Sequence, residues 1–170
     1  MEASKFLLIA LVLTICAVIF QLIGLASPYW MLIETTTFKS NSGLWKSCTE
    51  IVLTGDTTCS DVTIPDGYTD DINAARAMGI LGLLVLVAAA IMTVLKLFVL
   101  KDMKPILFGA IGSALAGAVF ILISIAIYAA RAKDLSPFDF DYHFAFAFSI
   151  IGMIAAIGAG AVMLVEIIKG

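Results

Sequence analysis

Charge is scarce in this sequence. Only 14% of its 170 residues are Asp, Glu, Lys or Arg, against about a quarter in an ordinary soluble domain. The ten Lys and Arg form no patch on the scale that phosphate neutralisation requires, and the net charge is −3, which excludes nucleic acid as a partner. Histidine is nearly absent: His143 stands alone. It sits at a helix boundary and reads as an interfacial hydrogen-bonding residue, and no Ser–His–acid set, metal-ligand cluster or Gly-rich phosphate loop appears. An enzyme is therefore not expected, nor any cofactor or metal. Cysteine is limited to Cys16, Cys48 and Cys59, and tryptophan to Trp30 and Trp45.

Apolar residues fill the space that charge leaves. They make up 62% of the chain, and the mean hydropathy is +1.09. Four apolar runs stand out, at 6–26, 77–95, 106–130 and 142–165. Each is near or above the ~20 residues that a helix needs to cross a bilayer. The first, preceded by Lys5 and followed by Gly24-Leu25-Ala26-Ser27, imitates a secretory signal but is long for one. The expected architecture is an all-α membrane protein, a four-helix transmembrane bundle in one domain, 1–170. Its helices are expected at about 6–27, 75–98, 105–131 and 142–166, with loops at 28–73 and 132–141.

The long loop holds Cys48 and Cys59. Paired cysteines in a polar loop point to a disulfide and an oxidising, extracellular side. A zinc site lacks the further Cys or His it would need. Cys16, inside helix one, reads as a packing residue. Lys96, Lys101 and Lys104 crowd the short turn between helices two and three, which places that turn and both chain ends in the cytoplasm. Arg76, Arg131 and Lys133 fall on the outer side, so local density and the Cys pair decide the orientation.

Small residues recur at spacing four: Gly109, Ser113 and Gly117 in helix three, and Gly152, Ala156 and Gly160 in helix four. Helix one repeats Ala10, Ala17 and Gly24 at spacing seven. In lipid, close helix approach depends on such faces. Gln21, Ser113, Ser124, Ser149 and Lys96 are too few to line an ion path. They read as helix–helix hydrogen bonds or snorkelling ends.

The long loop is strand-like. Trp30–Phe38 is β-branched and aromatic, Lys39–Gly43 reads as a turn, 44–53 as a second strand, Thr54-Gly55-Asp56 as a turn, and 57–64 as a third strand. Cys48 and Cys59 could then face each other across a hairpin, a link worth about 3 kcal/mol in the entropy model. Trp30 should sit at the membrane interface. Trp45 should press the thin sheet onto the rim of the bundle, with Gly43 allowing a sharp turn before it.

Trp30, Gly43-Leu44-Trp45, Cys48 and Cys59, in this order and topology, resemble the W–GLW–C–C signature of the claudin superfamily. That group includes claudins, peripheral myelin and epithelial membrane proteins, lens fibre intrinsic membrane protein and channel-associated gamma subunits. Ala74-Ala75-Arg76-Ala77-Met78 resembles the stretch that opens helix two in claudins. The resemblance implies a plasma-membrane protein of cell–cell contacts that self-associates in cis and contacts a like or related chain in trans, with membrane lipids around it. It also admits a paracellular barrier or cation-preferring path, with Asp61 as the candidate selectivity residue, or a membrane organiser or auxiliary subunit. The chain ends at Val165-Glu166-Ile167-Ile168-Lys169-Gly170, with no evident PDZ-binding tail. Neither Asn41-Ser42-Gly43 nor Asn73-Ala74-Ala75 is a glycosylation sequon.

Overall fold

The structure is a computed structural model and describes residues 5–169. The two chain ends, expected in the cytoplasm, lie outside the described residues. Helix α1 spans Lys5–Ala26. Four strands follow in the first loop: β1 Met31–Glu34, β2 Phe38–Ser42, β3 Lys46–Ile51 and β4 Thr57–Asp61. Then come α2 Thr69–Phe98, α3 Lys104–Leu135, β5 Asp141–Tyr142 and α4 Phe144–Lys169. All four helices are long and apolar enough to cross a membrane.

Helix α2 packs chiefly on α3, and α1 chiefly on α4. Side chains such as Val12, Leu84, Val119 and Ile154 face outward, as lipid solvation permits. Between helices the backbones come close. A Cβ added to Gly82 would stand 3.3 Å from the Gly117 carbonyl oxygen and 2.8 Å from Ile121. One on Gly152 would stand 3.2 Å from the Ala17 oxygen, and one on Gly160 would stand 3.0 Å from Leu115. Ala156 is fully buried, Ser113 half-buried, and Gly109 abuts Met92. Sequence reasoning missed Gly82, which lies against Gly117 and Ile121 of α3, and Gly79, which faces Leu25 of α1 and Ser124 of α3. Their spacing of three falls outside the spacing-four search.

The few intramembrane polar groups mostly bond to backbone. Ser124 Oγ donates to the Ala75 carbonyl (2.7 Å) and Gln21 Nε2 to that of Gly79 (3.3 Å), tying α3 and α1 to α2. Thr14 and Thr93 donate to carbonyls one turn back in their own helices.

The sheet is antiparallel in the order β4-β3-β2-β1-β5. This corrects the three-strand expectation in two places. The turn falls at Thr35–Thr37, inside the β-branched run, because the Thr35 hydroxyl donates to the Phe38 carbonyl (2.8 Å) and accepts from the Phe38 amide (3.0 Å). A threonine can thus build the turn that its strand propensity disfavours. Lys39–Ser42, expected as a turn, is instead strand β2, paired on both sides. The second difference is β5. Residues 141–142 pair with Leu32 and Met31, and the His143 amide donates to Trp30 (3.0 Å), so α4 begins at Phe144 rather than near 142. Helix α2 begins at Thr69, earlier than its apolar run, because Asp70 and Asp71 suit a helix N-terminus.

Candidate functional site

The sheet meets the bundle at the end of α1. The last carbonyls of a helix have no partner within it. Here the Ile23 carbonyl accepts the Ser27 amide (3.0 Å). The next two are met by the two tryptophans: Trp30 Nε1 donates to Gly24 (2.6 Å) and Trp45 Nε1 to Leu25 (3.0 Å). Both indoles thus cap α1, one from the chain leaving it and one from the β2–β3 turn folding back. That is why the Gly43-Leu44-Trp45 segment lies where it does.

The rest of the seat follows from these contacts. Trp30 is 1% exposed and meets Tyr128 and Phe146 edge-on, at 4.7 and 5.5 Å between ring centroids. Leu44 is fully buried, and its carbonyl accepts Arg76 Nε (2.7 Å). The Arg76 guanidinium lies over the Trp45 ring, 5.0 Å from its centroid, and also donates to Asn73. The cation stands near the negative end of the α1 dipole. Gly43 serves a different purpose from the one expected. Its φ is not positive, unlike those of Gly55 and Gly67. A Cβ there would collide with the Ser27 oxygen and stand 2.7 Å from Pro28 Cα. Close approach of two backbone segments, rather than a sharp turn, requires glycine. Asn41 Nδ2 donates to the Pro28 carbonyl (3.0 Å) from the same side.

Cys48 and Cys59 are direct partners in the β3–β4 register and form a disulfide, with Cα atoms 4.0 Å apart. Cys16 is free and half-buried in α1. Strand alternation then sorts the remaining side chains. The disulfide shares its face with Asp61, Lys46, Glu50 and Lys39. On that face the register sets Lys46 opposite Asp61 and Lys39 opposite Glu50, and Lys39 Nζ forms an ion pair with Glu34 at 3.1 Å. Both lysines of the first loop are thus set against its carboxylates. Asp71 is met by Arg131 at 2.7 Å, which also approaches Asp134 and Tyr68. Ion pairs thus engage Glu34 and Asp71 among the acidic residues of 28–73. The opposite face carries hydroxyls, with Ser40 and Thr49 3.0 Å apart. It looks into a cleft of about 280 Å³ floored by Ile72, Tyr128 and Leu135.

At the outermost turn, Ile51 and Val52 are each 48% exposed and Leu53 is 92% exposed. Ile51 ends β3, as the strand expectation has it, while Val52 and Leu53, expected in the same strand, lie in the turn beyond it. Among the described residues, no group of three or more His, Cys, Asp or Glu could hold a metal ion.

Four membrane-spanning helices crowned by a disulfide-stapled antiparallel sheet, seated through two indoles and an arginine, define a four-span integral membrane protein. The chain belongs to the PMP-22/EMP/MP20/Claudin family, whose family model matches residues 3–165. No curated protein matches it.

Proposed function

We propose that the protein is a non-catalytic component of cell–cell contacts in the plasma membrane, displaying its sheet outside the cell as an adhesion surface. The observation that carries this reading is the bare apolar tip of the β3–β4 hairpin, Ile51-Val52-Leu53. Adjacent exposed apolar side chains on the most distal part of a stapled sheet mark a protein contact rather than a solvated loop. Family membership supports the same role. The disulfide supports an oxidising, extracellular side for the sheet. The lysines at 96, 101 and 104, at the other end of α2 and α3, support a cytoplasmic side there. The partner in trans is a second copy or a related chain, and cis association runs along the membrane.

The test is a mixing experiment in cells without junctions. Expressing cells should cluster, and the protein should concentrate only where both neighbours express it. Leu53→Asp should abolish that enrichment while surface expression persists. Even staining at every contact, with copurification of a larger channel or receptor in fixed ratio, would favour an auxiliary or membrane-organising role instead.

A further inference from the structure

At the end of the bundle away from the sheet, a cavity of about 300 Å³ opens between α2, α3 and α4. It is lined by Lys96, Lys104, Leu107, Phe108, Glu166 and Ile167. We propose that it is a binding site for the phosphodiester headgroup of an anionic phospholipid, whose acyl chain lies on the apolar wall.

The cavity's position selects the class of ligand. α2 ends at Phe98 and α3 begins at Lys104, so the two lysines stand where a spanning helix leaves hydrocarbon for headgroups. Leu107, Phe108 and Ile167 continue from that level along the helices, and Phe108 is exposed. A ligand with a charged head and an apolar tail matches both halves of the cavity.

Lys96 is held in place. Its Nζ donates to the Lys101 carbonyl, in the turn that follows α2. One of its three donors is thereby used, leaving two for a ligand. α3 starts beside Lys104 without a side-chain cap, its N-cap residue being Met103. An uncapped helix start adds partial positive charge to the two ammonium groups. Glu166 faces the same cavity and makes an interaction of its own. Two ammoniums against one carboxylate leave the lining with a net charge of about +1, which complements a headgroup of net charge about −1 and disfavours one whose phosphate is balanced by its own cation. Lys101 and Lys169 are at the same end but do not line the cavity. Lys169 lies over the Phe6 ring, 4.5 Å from its centroid.

The full chain, purified in a neutral detergent, should be titrated with phosphatidylserine, phosphatidylglycerol or phosphatidylcholine, and bound lipid counted by native mass spectrometry. One anionic lipid should be retained in preference to phosphatidylcholine. Lys96→Gln and Lys104→Gln should each weaken it about fivefold. Lys101→Gln and Lys169→Gln, which leave a comparable net charge, should change it less than about twofold. Glu166→Gln should tighten it, an outcome that a merely misfolded variant would not give. Equal losses for all four lysines would show a diffuse surface field and overturn the site, as would equal retention of phosphatidylcholine. Full displacement by millimolar inorganic phosphate would assign the cavity to free phosphate and overturn the lipid reading.

Discussion

Replacing Trp45 with alanine should loosen the seat of the sheet by about 2 kcal/mol. The indole N–H bond to the Leu25 carbonyl contributes about 1 kcal/mol. The Arg76 guanidinium over the ring, at a partly exposed site, adds about 0.5–1 kcal/mol. Trp45→Phe keeps an aromatic ring and loses the donor, so it should lose about 1 kcal/mol. Because the helices span the membrane independently of this contact, the effect should be local. Hydrogen exchange of peptides covering the β2–β3 hairpin is the suitable assay, since it reports local opening. Exchange there should quicken about thirtyfold in Trp45→Ala and about fivefold in Trp45→Phe, with the α2–α3 interior unchanged. A double-mutant cycle with Arg76→Ala should give a coupling of about 0.5–1 kcal/mol. Unchanged exchange in Trp45→Phe together with zero coupling would refute the claims that the indole caps α1 and that the Arg76 guanidinium is held over its ring.

Four further outcomes follow from the same contacts. Trp30→Phe should be worse than Trp45→Phe, at about 1–3 kcal/mol, because it leaves the buried Gly24 carbonyl without its donor; equal exchange rates in the two variants would contradict this. Gly43→Ala should lower surface expression through the collision with Ser27 and Pro28 backbone atoms, at a cost of about 1–3 kcal/mol, which cell-surface labelling would read. Cys48→Ser should cost about 3 kcal/mol in the entropy model and leave Cys59 open to alkylation; alkylation of both loop thiols in the surface-expressed wild type would deny the pairing. If the sheet borders a paracellular path, Asp61→Asn should lower and Lys46→Gln should raise its cation preference, since the two residues are cross-strand partners. An unchanged sodium-to-chloride ratio in dilution potentials would remove both from that role.

Composition determined that the chain lives in a membrane, and the order of its apolar runs gave four segments able to cross it. Hydrocarbon admits only backbone bonded to itself, so four apolar runs of spanning length have few alternatives to helices. The Cys48–Cys59 pair was legible because both cysteines lie in one polar loop and straddle the Thr54-Gly55-Asp56 turn. Tertiary structure decided what local pattern could not carry. Thr35 became a turn residue only because its hydroxyl bonds to Phe38, and Tyr142 became a strand residue only because β1 offered a free edge. Gly43 is needed because Ser27 and Pro28 press against it. Asp61 is one of several acids of the first loop in the sequence, and only the register sets Lys46 opposite it. The two tryptophans, fifteen residues apart, share the end of one helix because its unmatched carbonyls demand donors and the chain folds back to supply them.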